Sequence, residues 1–115
     1  MNATTDCLFC RIVAGDVPAD LVRATDDTLA FRDVAPQAPT HVLVIPREHH
    51  RDIAALASSD PALAGRVIAD ATQMAAELDL AEFRLVLNTG PSAGQSVFHV
   101  HAHVMAGREF SWPPG

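Results

Sequence analysis

Three histidines, His99, His101 and His103, stand at alternate positions in the stretch GQSVFHVHAHVMAG. The chain has only 6 histidines in all, so half of them fall in one short segment. A β-strand sends alternate side chains to opposite faces. The three imidazoles would therefore share one side, and Val100, Ala102 and Val104 would take the other. Burying three polar rings without partners would cost roughly 1–3 kcal/mol each, so packing alone accounts poorly for the row. Two chemistries remain. The H-x-H pattern can supply metal ligands from one strand, or neutral imidazoles can act as nucleophile and acid on a phosphate. In an extended strand neighbouring members are ~6.7 Å apart at Cα and the outer two ~13 Å. One phosphate then meets two adjacent rings easily and all three poorly, which leaves one histidine for another task.

Cys7 and Cys10 suggest that task. Two thiolates at C-x-x-C spacing supply half of a tetrahedral zinc site, and two histidines would complete it. The candidates are His49 or His50, just past an apolar run, together with one member of the row. The loop before the row contributes Gly90, Gly94, Gln95 and Ser96. Flexible backbone with exposed N–H groups, an amide and a hydroxyl suits phosphate oxygens.

These residues need elements to hold them. DCLFCRIVAGD reads as a short helix closed by Gly15, with Pro18 soon after. LVRAT and TLAFRD, joined by Asp26-Asp27, read as a hairpin, and HVLVIP as a central strand ended by Pro46. Asp60 is a candidate N-cap with Pro61 at the first helical position. Leu63, Val67, Ala71, Met74 and Leu78 then recur at spacings of three and four, one apolar helical face. FRLVLNTG is a further strand, and the tail SWPPG cannot be helical. The expected fold is α+β: an antiparallel sheet of about five strands, one main helix and a short N-terminal helix.

Composition narrows the function classes. The chain is 49% hydrophobic and 19% charged, as a globular protein is, and its length suits one domain. A formal net charge of −6 argues against a broad nucleic-acid surface, though a small phosphorylated ligand needs only local donors. No apolar run approaches the ~20 residues of a membrane span, and MNATTDCLFC lacks the features of a signal peptide. The expectation is a cytoplasmic protein without membrane partners, in which C-x-x-C serves metal or redox chemistry.

The motifs CLFCRIVAGDVPA, AFRDVAPQAPTHVLVIPREH, GQSVFHVHAHV and WPPG together resemble the histidine-triad (HIT) family, and within it the Hint-like purine nucleoside phosphoramidases. The resemblance covers nearly the whole chain and implies a single HIT domain over 1–115, with its sheet continued across a homodimer. It implies His101 as the nucleophile on the α-phosphorus of a purine nucleoside 5′-phosphoramidate, through a covalent nucleotidyl-histidine. His103 would bind the phosphate and protonate the leaving amine, with His41 in support by hydrogen bonding. Phe9, Ile12, Phe31 and Val34 would line the base pocket, and Asp33 would receive the ribose hydroxyls. Asn88, Gly94, Gln95 and Ser96 match phosphate and ribose contacts. His99 would join Cys7, Cys10 and His49 on a structural zinc, with no catalytic metal required. Trp112 would lie near the partner's site and contact the leaving group. Arg32, Phe98 and the PSAG loop depart from familiar family forms, which bears on base and leaving-group preference.

Three rival readings stand beside this one. A dinucleoside polyphosphate hydrolase of the same superfamily would use the same nucleophile, but carries glutamine where this chain has His103. A non-enzymatic nucleotide- or partner-binding module would not need an intact triad. A metalloenzyme would use the H-x-H pair directly.

Overall fold

The structure is a computed structural model and describes residues 6–115. Its sheet comprises β1 (Leu21–Ala24), β2 (Thr28–Arg32), β3 (Thr40–Pro46), β4 (Arg84–Leu87) and β5 (Ala102–Ala106), in the order β1-β2-β3-β5-β4. Every neighbouring pair is antiparallel. Among the described residues three α-helices accompany it: α1 (Leu8–Ala14), α2 (Ile53–Ser59) and α3 (Pro61–Glu77). The expected α+β class, strand count and main helix all hold. No helix among the described residues is long and apolar enough to cross a membrane.

β3 is apolar along its length because both of its faces are covered. Val42 and Val44 pack with Leu56 of α2 and with Leu63, Val67, Ala71 and Met74 of α3. Leu43 and Ile45 pack on the opposite face with Cys7, Phe9, Cys10, Leu29 and Phe31. The sheet thus separates a large core under α2 and α3 from a smaller one under α1. The apolar spacing read in residues 63–74 is the buried stripe of α3.

The caps follow from local chemistry. The Asp60 carboxylate accepts the Leu63 N–H at 3.1 Å, and Pro61 occupies the first turn, where no N–H partner is needed. Gly15 ends α1 at φ 84°, a left-handed conformation that favours glycine, and its N–H reaches the Ile12 carbonyl at 3.0 Å. The helix α2 is not legible in the sequence reading. Asp52 caps it, accepting the Ala55 N–H at 2.8 Å, and Leu56 is completely buried. At seven residues it offers barely two turns of periodicity, too short a run to declare a helical stripe.

One expectation needs correction. The histidine row is not a straight strand, because β5 begins only at Ala102. His99 and His101 precede it in an irregular segment whose Val100 N–H bonds the His50 carbonyl at 2.9 Å. The alternation of faces survives: Val100, Ala102 and Val104 enter the large core. The histidines turn towards α1 and the smaller core, where Phe9 meets the rings of both His99 and His101.

Candidate active site

A cleft of about 540 Å³ opens on the α1 face of the sheet. Phe9 and Ile12 of α1, Phe31 of β2, Leu43 of β3 and Val97 give it apolar walls. Asp33, Ser96, His101 and His103 supply its polar lining. Val34 borders the same cleft but is fully exposed at its rim. Volume and lining suit a flat heteroaromatic ring joined to a polar group.

Hydrogen bonds decide which nitrogen of each imidazole is free, because a carbonyl only accepts and a backbone N–H only donates. His101 Nδ1 lies 2.8 Å from the His99 carbonyl, so it carries the hydrogen. The lone pair of neutral His101 is therefore on Nε2. The neighbouring pair forms a longer relay. The Gln37 backbone N–H donates to His41 Nδ1 at 3.0 Å, which places the His41 hydrogen on Nε2. That hydrogen is donated to His103 Nδ1 at 2.9 Å, leaving the His103 hydrogen on Nε2. Asp33 stands beside the relay, its carboxylate 3.4 Å from His41 Nε2. The rings of His101 and His103 lie 4.9 Å apart at their centroids. One thus offers an electron pair where its neighbour offers a proton.

Burial keeps these rings neutral. Desolvation pushes the His101 pKa below its ordinary value, against an opposing pull from the His99 carbonyl. His103 is lowered to about 4, first by burial and then by repulsion from His101 and His41, with Asp33 pulling the other way. A neutral imidazole keeps the lone pair that a nucleophile requires.

His99 is turned elsewhere. Its Nε2–H donates to the Pro46 carbonyl at 2.8 Å, so its Nδ1 bears the lone pair. That one nitrogen lies 3.4 Å from Cys7 Sγ, 3.4 Å from Cys10 Sγ and 3.2 Å from His49 Nδ1. Cys10 Sγ and His49 Nδ1 are 3.3 Å apart. A single in-plane lone pair cannot bond three atoms at once. Four donors converging on one point are instead the geometry of a tetrahedral metal site. Bonds of ~2.3 Å to sulfur and ~2.0–2.1 Å to nitrogen put neighbouring ligand atoms about 3.3–3.8 Å apart. The four residues fit zinc. Burial and the neighbouring Cys7 push the Cys10 thiol up to about 12, so binding must displace a tightly held proton.

The remaining sequence candidates divide. Gln95 is buried and its side-chain amide is fully engaged. Nε2 donates to the carbonyls of Arg51 and Val97, at 2.8 and 3.1 Å, and Oε1 accepts the Gly90 N–H at 2.8 Å. Gln95 braces the loop and offers no free amide to a phosphate. The N–H groups of Gly90, Ala93, Gly94 and Gln95 are likewise bonded within the loop, so the expected row of exposed donors is reduced. Asn88 and Gly94 lie side by side but off the cleft wall. Trp112 is 84% exposed. Leu43 and the Gln37 N–H join the site without being among the sequence candidates. Leu43 could have been found, since it shares a strand face with His41. The Gln37 contact could not, because a backbone N–H has no sequence signature.

The HIT domain family model matches residues 14–110, and the chain belongs to that family. An uncharacterized HIT-like protein of Synechocystis is 46% identical over 96% of this chain and 97% of its own. A HIT family hydrolase from Legionella pneumophila is 42% identical, covering 96% of this chain and all of its own, at a TM-score of 0.91. A histidine triad nucleotide-binding protein from Candida albicans is 26% identical, covering 94% of this chain and 83% of its own, at a TM-score of 0.81.

Proposed function

We propose that the protein hydrolyses the P–N bond of purine nucleoside 5′-phosphoramidates through a nucleotidyl-histidine on His101. The observation that carries the reading is the opposed tautomers of His101 and His103, a lone pair beside a proton at the polar end of an apolar slot. A hydrolase from Legionella pneumophila and a nucleotide-binding protein from Candida albicans among the relatives are consistent with it.

In this reading the base packs against the shared apolar wall of Phe9, Ile12 and Phe31, with Val34 at the rim and Asp33 towards the ribose. Ser96 meets the phosphate, and Asn88 and Gly94 shape the loop behind it. His101 Nε2 attacks phosphorus while its Nδ1–H stays on the His99 carbonyl. The substrate's negative charge favours one added proton on the coupled Asp33–His41–His103 group. That proton leaves through His103 Nε2 to the departing nitrogen as the P–N bond breaks. Water then attacks the phosphorus and gives a proton back to His103. The P–N bond to His101 breaks, and the nucleoside monophosphate leaves. Splitting one displacement into two lowers each barrier. Cys7, Cys10, His49 and His99 would hold a structural zinc, which with four protein ligands has no open position and supplies rigidity only.

Purified protein should turn over adenosine and guanosine 5′-phosphoramidates, and His101→Gly should lose several orders of magnitude of rate. Substantial turnover by the variant would refute the nucleophile. The same reading includes a homodimer that continues the sheet. β4 is an edge strand paired only with β5 among the described residues, and a monomeric mass in solution would refute the dimer alone.

A further inference from the structure

His99 belongs to two constellations at once. Its side chain points Nδ1 into the Cys7–Cys10–His49 cluster, while its own carbonyl holds His101 Nδ1–H at 2.8 Å. A third bond, from Nε2–H to the Pro46 carbonyl, fixes the ring from behind. Little freedom remains in a residue tethered at both side-chain nitrogens and at its carbonyl. The cysteine half of the cluster has its own contact with the nucleophile. Phe9, between the two cysteines, meets the His101 ring edge-on at 5.2 Å and the His99 ring at 6.0 Å. Cys7 is also the N-cap of α1, its sulfur accepting the Cys10 N–H at 3.3 Å.

We propose that the Cys7–Cys10–His49–His99 cluster positions the nucleophile, so that metal occupancy is read at His101 through the His99 carbonyl. The proposal rests on the assignment of His101 above and extends it: the metal-site ligands are positioning residues for the reaction rather than remote staples. With zinc bound, His99 has one orientation, and its carbonyl points one way. Nδ1–H of His101 is then fixed and Nε2 is aimed at the phosphate. Without it, two thiols and two imidazoles crowded at 3.2–3.4 Å must pair off as ordinary hydrogen bonds. The Nδ1 lone pair of His99 can satisfy only one neighbour, so the ring and the attached carbonyl lose their single setting.

A ligand that touches His101 should sense this change, and one that stops short of it should not. AMP carries the phosphate that meets His101, whereas adenosine fills only the base and ribose positions. Affinities of both are to be measured by calorimetry on zinc-loaded protein, on chelator-stripped protein and on His49→Ala, whose altered side chain lies outside the nucleotide cleft. Stripping should weaken AMP about tenfold and adenosine less than twofold. Coupling between sites is reciprocal. Saturating AMP should therefore raise zinc affinity about tenfold in competition with a chromophoric chelator, and adenosine should not. This second measurement starts from loaded, folded protein. Any ligand of the folded state raises zinc affinity if the stripped chain unfolds, so the readout is the excess of the AMP effect over the adenosine effect. Equal losses for AMP and adenosine on stripping, or a zinc affinity indifferent to AMP, would overturn the proposal while leaving the nucleophile assignment intact. Failure of AMP to bind the loaded protein would instead remove the nucleotide reading beneath it.

Discussion

Replacing His41 with phenylalanine tests the relay most directly. His41 is buried and makes two bonds, accepting from the Gln37 N–H at 3.0 Å and donating to His103 Nδ1 at 2.9 Å. Phenylalanine keeps the ring volume and removes both. The Gln37 N–H lies on an exposed segment and can turn to water. The loss that matters is the donor that fixes the His103 tautomer. A neutral hydrogen bond contributes about 0.5–1.5 kcal/mol net, which converts to a fall in rate of about 2- to 12-fold. Removing the acid itself, as His103→Ala does, should cost about 10²–10⁴. The two variants are therefore expected to differ by about an order of magnitude or more. The His41 effect should also grow with the basicity of the leaving amine, since poorer leaving groups depend more on the donated proton. Steady-state kcat on a series of adenosine phosphoramidates with graded amines measures both. A His41→Phe variant as inactive as His103→Ala would make His41 a participant in the chemistry. A loss independent of the leaving group would mean that His41 does not act through His103.

Two further outcomes follow from burial. In metal-stripped protein, desolvation holds His99 and His103 at about 4 and His101 below its ordinary value. Between those values and the unfolded value near 6.5 the unfolded chain binds more protons. Stability from these rings is thus present above about pH 6.5 and is lost as pH falls towards 4, and a melting temperature flat between pH 6.5 and 5 would contradict it. Leu56→Ala, in the short helix α2, should lower unfolding free energy by about 2–5 kcal/mol, because Leu56 is wholly buried against α3 and β3. A loss under 1 kcal/mol in urea titration would mean that α2 is peripheral to the core.

What the sequence determined by itself is what periodicity and residue chemistry can carry. The spacing of Leu63, Val67, Ala71 and Met74 fixed a helical face, the unbroken run of β3 fixed a central strand, and Asp60-Pro61 and Gly15 fixed helix ends. Each depends on neighbours a few residues apart. The alternation of His99, His101 and His103 likewise marked a chemical row, and C-x-x-C marked a pair of soft ligands. The tertiary structure decided the rest, because it depends on backbone groups brought together from distant parts of the chain. No spacing reveals that the Pro46 carbonyl takes the Nε2–H of His99, or that the Gln37 N–H selects the tautomer of His41 and through it that of His103. His49, rather than His50, meets the thiols, while His50 pairs with Glu48 at 2.7 Å. Gln95, a plausible phosphate donor as a residue type, is consumed by three backbone groups. Side-chain identity sets which bonds a residue can make; the packing of distant backbone sets which ones remain free.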